Sequence, residues 1–324
     1  MYFLLRKFNI NKKIFIGSIL IFLISINIQN SYSQGCSDAG FCTMGAMRPN
    51  QHYSKGILKK LKTVELTTYT GITKFNDRVN SLTFDMNFAL NQKMTLQAKC
   101  PYFYVNGPLG QTQGIGDISL AFTHYLTAIK NLQFNGTIGT KIPTNQSNKT
   151  NSELNPLPMY YQSSLGTYDV IVGLSAISSK WLLALGYQQA LNANGNEFLW
   201  GAWKNSTLSS LAQTYPRAKD LKRGKDVMFR IERNVRFSRF NSYLGLLFIQ
   251  RITADKFTHP TFGENTQDND SKGLALTALA GVGYAFSVKN TIKGMFGYAL
   301  VQRKVNLDGL TRDNVATISY EYKF

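Results

Sequence analysis

The last ten residues of the chain, 315–324, alternate strictly between two kinds of side chain. One face of this stretch carries Ala, Ile and three aromatic residues, and the opposite face is mostly Thr, Ser, Glu and Lys. Alternation with a period of two predicts a β-strand whose two faces meet different surroundings. Aromatic residues on an apolar face that opposes a polar one are typical of a strand in a transmembrane β-barrel. The competing interpretation is the last edge strand of a soluble β-sandwich.

The same alternation recurs along the chain from about residue 61. It is clearest in Leu82–Phe88, where Leu, Phe and Met oppose Thr, Asp and Asn. Arg233 interrupts the apolar face of a later segment, which indicates either a position near a membrane interface or a β-bulge. The other predicted strands include residues 117–123, 132–141, 227–237, 274–286 and 292–300.

The connections between these strands alternate in length. Short turns are predicted at 91–93, 128–131, 178–180, 238–241 and 287–290. Longer or more polar connections lie between them at roughly 75–79, 106–114, 145–161, 193–225, 258–271 and 306–309. Membrane barrels have short turns at one end and long loops at the other, whereas a soluble sandwich has no reason to separate its loops by length. The sequence therefore predicts an all-β fold, a transmembrane antiparallel up-and-down β-barrel of about twelve strands with both termini in the periplasm.

The N-terminal 33 residues have the pattern of a secretory signal peptide. Four basic residues precede an apolar run over 14–28, and small residues at its end suit cleavage before Gln34. The run is shorter than the ~20 residues that a membrane-spanning helix needs. The chain is thus predicted to contain a cleaved signal peptide at 1–33, a periplasmic segment and candidate plug at 34–56, and the barrel at 57–324.

Only three cysteines are present. Cys36 and Cys42 flank a short glycine-containing turn, so in an oxidising compartment they are candidates for a disulfide. A lipoprotein with an acylated Cys36 is a weaker alternative, because Ser33 stands where an aliphatic residue is usual. Cys100 falls inside a predicted strand as a small apolar residue. With no second cysteine pair and only three histidines, the sequence predicts no metal site and no cofactor.

The chain is strongly basic. Its net charge is +18, and +14 remains once the four basic residues of the signal peptide are removed. A basic chain raises nucleic acid as a partner, but export from the cytoplasm argues against it. The phosphates of outer-membrane lipid and lipopolysaccharide are the expected partners of this charge.

Two glycine-containing stretches, Gly114–Leu120 and Ser164–Leu174, resemble repeated stretches of a Gram-negative barrel family. That family comprises outer-membrane transporters associated with the meta-pathway of phenol degradation, distantly related to the fatty-acid transporter barrels. The segment Cys36–Thr43 is similar to the mature start of Bacteroidetes outer-membrane proteins. The resemblance covers the chain from about residue 60 and implies a Gram-negative outer-membrane barrel, but it names no solute. The terminal aromatic residues Tyr320, Tyr322 and Phe324 resemble the C-terminal signal of such barrels. This resemblance implies that the barrel-assembly machinery recognises them.

Some barrels of this size are enzymes. The outer-membrane phospholipase needs a nucleophilic Ser, a His within hydrogen-bond reach and a polar residue that orients the His. Here His124 is followed by Tyr and Leu, His52 precedes the barrel, and His259 lies in a predicted loop. The sequence therefore predicts no enzyme.

Charged residues on the predicted inward faces are the candidates for function. Two interpretations stay open: the charges pair across a closed barrel, or a basic excess lines a water-filled path that favours anions. The candidate lumen-lining residues are Asp85, Lys99, Asp117, Lys141, Asp169, Arg230, Glu232, Arg236, Lys293, Arg303, Glu321 and Lys323.

The predicted loop 193–225 combines aromatic residues with a run of basic ones, and a short capped helix is expected at 205–212. The loop is expected to form a constriction, contact surface polysaccharide, dock another protein, or remain solvated with its aromatics at the membrane interface. The sequence favours an outer-membrane channel or transporter for small hydrophobic or anionic solutes. The alternative is a non-conducting structural or assembly subunit of a larger envelope complex, docked through this loop or through segment 34–56.

Overall fold

The computed structural model describes residues 60–260, 263–310 and 312–324. Within this part the chain is almost entirely β-structure joined by turns and loops. The strands are β1 (Lys60–Ile72), β2 (Arg78–Ala89), β3 (Met94–Gly107), β4 (Gly110–Ile115), β5 (Ile118–Ile129), β6 (Leu132–Ile142), β7 (Asp169–Ile177), β8 (Trp181–Ala190), β9 (Asp226–Phe237), β10 (Phe240–Arg251), β11 (Asp255–Thr258), β12 (Asn265–Asp268), β13 (Gly273–Ala285), β14 (Asn290–Val301) and β15 (Asn314–Lys323).

Twelve of these strands form a closed antiparallel barrel. Each pairs with its neighbours in chain order, and the last strand, β15, returns to pair with β1 along ten residues from Ile72↔Asn314 to Thr63↔Lys323. Closure leaves no unpaired sheet edge in the barrel wall. Three short strands lie outside this count. Strand β4 pairs with the C-terminal half of β3, and β11 and β12 form a hairpin within a loop. The predicted twelve-stranded all-β barrel is confirmed.

The two ends of the barrel differ as the turn pattern predicted. One end, termed the short-turn end, has turns of two to four residues between consecutive barrel strands, for example 130–131 and 238–239. The other end, termed the long-loop end, carries the connections 143–168, 191–225, 252–272 and 302–313. The helix expected at 205–212 is shorter than predicted: it spans Ser209–Ala212 and has no side-chain cap. No helix among the described residues is long and apolar enough to cross a membrane.

The outer surface of the barrel is apolar. Large apolar side chains at every second strand position remain exposed, including Leu82 (46%), Ile138 (64%), Leu174 (57%) and Ile318 (65%). A soluble protein rarely exposes a continuous apolar band, whereas a bilayer supplies the hydrocarbon that such a band contacts. The alternation that the sequence showed is therefore the alternation between lipid and lumen.

Aromatic residues gather outside the wall at the short-turn end. Tyr320 stacks on Phe286 at 6.4 Å between ring centroids, and Phe324 meets Tyr322 edge to face at 4.9 Å. Aromatic girdles of this kind mark the interfacial zone of membrane barrels. Recognition of these residues by the assembly machinery stays a prediction.

The two interpretations of Arg233 are now separable. Strand β9 pairs with β8 and with β10 without a register shift, so no bulge resets its faces. The Arg233 guanidinium lies outside the barrel, 4.9 Å from the centre of the Trp181 ring. An arginine held against an indole ring close to the short turns is consistent with an interfacial position.

A charge placed on the middle of the apolar band should be costly. Ile138 lies near the centre of β6, paired with Phe122 and Val172. We expect Ile138→Arg to reduce the free energy of unfolding by about 2–4 kcal/mol, the usual cost of arginine at the bilayer midplane. The check is equilibrium unfolding in lipid vesicles. Val288→Arg, in an exposed turn (94% exposed), is the matched control and should change little; equal effects of the two variants would contradict the assigned band.

Candidate functional site

A cavity of about 1640 Å³ occupies the barrel interior. Its lining begins at the short turns, including Gln92 and Ser238, and reaches Leu165 and Leu310 beneath the long loops. Inward side chains of the barrel strands supply most of the wall. Interior cavities of this size suit drug-sized organic molecules rather than macromolecules.

One side of the cavity is charged and paired. On β2 and β3, Lys99 Nζ lies 3.2 Å from an Asp85 carboxylate oxygen. On β14, Lys293 Nζ donates to Glu65 on β1 at 2.8 Å and to Glu321 on β15 at 2.7 Å. Lys323 Nζ lies 3.2 Å from Glu321. Charges within a barrel must be paired or hydrated. The charges of this wall are paired, and the cavity that they face leaves room for water.

Further charges follow on β5, β6 and β9. Lys141 Nζ lies 3.8 Å from Asp117, whose carboxylate also accepts a hydrogen bond from Ser164 Oγ at 2.5 Å. Arg230 donates to Glu232 through Nε at 2.7 Å. Counted over the whole described lining, ten basic side chains face five acidic ones. The cavity therefore has a positive balance in spite of its ion pairs.

The other side of the interior is apolar, which the sequence interpretation missed. Inward residues of β5, β7–β10 and β13 pack into one buried cluster: Ala121, Ile171, Ile177, Leu182, Ala184, Met228, Leu247, Ile249, Ala275 and Leu279. Ile177, Leu182 and Leu279 also line the cavity. The available signal was a run such as Leu244–Ile249, which is apolar at consecutive positions and so indicates burial on both faces.

The structure separates the predicted lumen residues into two groups. Nine of them line the cavity: Asp85, Lys99, Asp117, Lys141, Arg230, Arg236, Lys293, Glu321 and Lys323. Asp169 and Glu232 are buried on inward faces outside the cavity lining. Arg303 is not on a strand, because β14 ends at Val301; it lies buried in loop 302–313.

The long-loop end is closed by an aromatic core. Side chains from the loops pack inward against the ends of the strands, and those with almost no exposure include Tyr160, Tyr161, Phe198, Trp203 and Tyr215. The Asp77 carboxylate, between β1 and β2, joins two of these loops, because Tyr161 Oη and Tyr215 Oη donate to it at 2.5 and 2.7 Å. Among the described residues, the inward-folded segments are thus loops 143–168 and 191–225.

A buried charge cluster ties the same loops to the barrel. Arg251, at the end of β10, contacts Asp226, Asp255 and Asp308, each at 2.8 Å. Arg223 contacts Asp169 at 2.8 Å and lies 3.6 Å from Asp308. Arg303 joins this cluster rather than the lumen wall, 4.0 Å from Asp308. Together, three arginines and four aspartates connect loops 191–225, 252–272 and 302–313.

The electrostatics of these loops follow from burial and pairing. Burial raises the pKa of the Asp77 carboxyl, although the hydrogen bonds from Tyr161, Tyr215 and Thr73 oppose the rise. Burial acts in the same direction on Asp308, but the guanidinium groups of Arg251, Arg303 and Arg223 hold its pKa well below the usual range. Asp308 is therefore ionised at any physiological pH.

Asp313, in loop 302–313, is expected to make the stability of the protein depend on pH. Burial raises its pKa from 3.8 to about 6, against the opposing charge of Lys74. The folded state therefore favours the neutral carboxyl, and its contribution to stability is complete below pH 3.8 and lost as pH rises through about 6. We expect the heat-unfolding midpoint to fall more between about pH 4 and pH 7 in the wild type than in Asp313→Asn. Identical pH profiles would contradict this assignment.

Several predicted features lie outside the described residues. These are the signal peptide at 1–33, the segment 34–56, and Cys36 and Cys42 with their proposed disulfide, all of which stay predictions. Within the described part, no group of His, Cys, Asp and Glu is placed to hold a metal ion.

The fold is similar to that of a solved outer-membrane channel. No protein-family model and no curated protein matches the sequence. The structure is similar to that of an outer-membrane channel from Pseudomonas putida F1, with 14% sequence identity and a TM-score of 0.57 over 85% of this chain and 99% of that one. A weaker match is the KdgM porin, with 8% identity and a TM-score of 0.41 over 81% of this chain and 99% of that one. Another is the CymD monoaromatic hydrocarbon channel, with 10% identity and a TM-score of 0.42 over 91% of this chain and 95% of that one.

The fold and the apolar outer band define the class of this protein. It is a twelve-stranded outer-membrane β-barrel, located in the outer membrane. The resemblance to the phenol-degradation transporter family and the Bacteroidetes origin stay predictions from the sequence.

Proposed function

We propose that this barrel is a channel for small solutes that combine an apolar body with an anionic group. The observation that carries the proposal is the mixed lining of the cavity, where Ile177, Leu182 and Leu279 of the apolar cluster occur together with ten basic and five acidic side chains. A hydrophobic solute without charge gains little from the basic wall, and an inorganic ion gains little from the apolar one. An organic acid contacts both.

The proposed path runs from the long loops to the short turns. The cavity lining reaches the short turns, which the proposal places on the periplasmic side. At the other end, the contacts of the aromatic core and of the charge cluster must open before a solute can enter. Opening of the loops alone is the expected route, since local segments open at lower cost than the whole barrel.

No covalent step belongs to this proposal. In the described part of the chain, His124 Nδ1 makes no hydrogen bond, so no acid or amide group orients this imidazole as in a catalytic triad. Lipase and protease assays on the purified protein test this point.

Removal of basic charge from the lining tests the proposal. The combined variant Lys99→Gln, Lys141→Gln and Arg236→Gln should slow benzoate entry into proteoliposomes, while entry of the uncharged analogue benzamide is unchanged, because only the anion gains from positive potential. Lys204→Gln, on the exposed loop surface, is the matched control. Equal slowing of both solutes would mean that the cavity wall had collapsed and would not support charge selection.

The packed interior favours a second candidate, a structural or assembly subunit. The apolar cluster and the loop core leave many inward side chains fully buried, as in small barrels with filled interiors. In that case neither solute enters, and loop 193–225 or segment 34–56 holds envelope protein partners. Stoichiometric co-purification of a partner from native membranes, lost on deletion of either segment, would support this candidate; lipopolysaccharide is the expected lipid partner in both.

A further inference from the structure

Basic side chains collect at the short-turn end of the barrel. Each of its five short turns carries one basic residue and no acidic one; the basic residues are Lys93, Lys130, Lys180, Arg239 and Lys289. All five are exposed. Among the described residues, the exposed acidic side chains lie instead in the loops of the opposite end, at Glu153, Glu197, Glu264 and Asp270. The short-turn end therefore presents a positive surface to its surroundings.

Arg233 places a further cation on the lipid-facing surface near this end. Its neighbours on the outer face of β9, Ile231 and Val235, are apolar, and its cross-strand partners are Trp181 on β8 and Leu244 on β10. Within the described ranges, Arg233 contacts the Trp181 ring and forms no ion pair with a carboxylate. A charged side chain beside hydrocarbon is costly unless an anion compensates it.

Lys180 supplies a second cation beside Arg233. It directly precedes Trp181, and its backbone carbonyl accepts a hydrogen bond at 2.7 Å from the N–H of Asn234, the residue after Arg233. Ser178 Oγ accepts hydrogen bonds from the N–H groups of Lys180 and Trp181 at 3.3 and 2.9 Å, which fixes the turn. Like charges on neighbouring strands are unfavourable, and an anion shared by both residues would offset this cost.

The wall next to these two cations is apolar. From Arg233 toward the middle of the barrel, the outer faces of β8, β9 and β10 carry Leu183, Leu185, Phe229, Ile231, Leu246 and Phe248 at paired positions. A ligand that fits this surface has an anionic group at the short-turn end and hydrocarbon chains along the wall. A membrane lipid has this form.

The charge of the site selects among the membrane lipids. The headgroup of a zwitterionic phospholipid carries its own cation, which two basic residues would repel. An acidic phospholipid has no such cation. Lipopolysaccharide occupies the outer leaflet, whereas the short turns are predicted to face the periplasm. A water-soluble acidic protein would not cover the apolar wall beside the cations.

We propose that Lys180, Trp181 and Arg233 form a binding site for the headgroup phosphate of an acidic phospholipid in the periplasmic leaflet. The ammonium and guanidinium groups donate hydrogen bonds to the phosphate, and the indole ring lies at the level of the headgroup. None of these three residues lines the interior cavity, so the inference does not depend on the proposed channel.

The test is quenching of tryptophan fluorescence by brominated phosphatidylcholine in proteoliposomes, because Trp181 belongs to the site. An unbrominated lipid that binds in place of the brominated one restores the fluorescence. Trp203 is buried and Trp200 lies in loop 191–225, so Trp181→Phe should abolish the quenchable signal. We expect phosphatidylglycerol to restore fluorescence about tenfold more effectively than phosphatidylcholine, because two basic residues attract an anionic lipid. Phosphatidylethanolamine should act as phosphatidylcholine does.

Variants locate the preference. Lys180→Gln combined with Arg233→Gln should abolish it, and Arg233→Lys should retain most of it. Lys204→Gln combined with Lys222→Gln is the matched control, because it removes the same charge from exposed positions in loop 191–225 and should leave the preference unchanged. Heat-modifiable migration of each variant in gels shows that its barrel has formed.

Three results would overturn the site. One is equal displacement by phosphatidylglycerol and phosphatidylcholine in the wild type, which would leave the two cations for another partner, such as an acidic protein. Another is a preference that survives in the double variant Lys180→Gln and Arg233→Gln. The third is displacement by lipopolysaccharide as effective as that by phosphatidylglycerol, which would contradict the choice of a phospholipid.

Discussion

Replacing Arg251 with alanine is expected to destabilise the long-loop end more than any other single change considered. The guanidinium is 1% exposed and contacts three carboxylates, those of Asp226, Asp255 and Asp308. Without it, these buried carboxylates lose their common partner. Removal of one member of a buried ion pair typically costs about 3–5 kcal/mol, because the remaining charge is left without compensation. Equilibrium unfolding and protease sensitivity of loops 252–272 and 302–313 measure the effect.

The chain offers a matched control for Arg251→Ala. Lys304 pairs with Asp270 at the same 2.8 Å, but both side chains are largely exposed. Exposed pairs contribute little to stability, so Lys304→Ala should leave unfolding and proteolysis unchanged. If Arg251→Ala were as mild as Lys304→Ala, the charge cluster would not hold the loops. If loops are the barrier to passage, Arg251→Ala should also raise conductance.

The second large effect is expected at Asp77. Its carboxylate accepts hydrogen bonds from Tyr161, Tyr215 and Thr73, the last at 2.8 Å. Asp77→Ala leaves three buried hydroxyls without their acceptor, and each such loss costs about 1–3 kcal/mol. Asp77→Asn keeps one carbonyl acceptor and should be milder. The measurement is hydrogen exchange of loops 143–168 and 191–225, which should accelerate strongly in Asp77→Ala and less in Asp77→Asn.

Tyr215→Phe is the control for Asp77→Ala. It removes one donor but keeps the ring that packs on Phe75 at 4.2 Å between centroids. Exchange should therefore rise only slightly. If Tyr215→Phe and Asp77→Ala accelerate exchange equally, the aromatic packing and not the shared carboxylate connects the two loops.

The barrel was predictable because its signals are local. Alternation in Leu82–Phe88 and in the last ten residues depends only on which side of the wall each residue faces, and the lengths of turns and loops are read directly from the chain. The inward position of Asp85, Lys99 and Glu321 follows from the same alternation. Counting the strands between these turns and loops gives twelve, and an even count brings the start of β1 and the end of β15 to the same end of the barrel.

The loop end was not predictable in the same way. Arg223, Arg303 and Asp308 lie in irregular segments without a period, and they meet only because distant loops fold over the barrel mouth. Burial of Phe198 and Trp203 shows that these aromatic residues of loop 191–225 are not solvated, which the sequence had left open.

Planar-bilayer conductance of the purified protein under a salt gradient tests the channel most directly. The cavity lining has more basic than acidic side chains, which predicts steady openings with anion preference. The conductance should be larger in Arg251→Ala than in the wild type. Electrical silence of both the wild type and Arg251→Ala would contradict a channel, because the loops would then not be the only barrier and the interior itself would be closed.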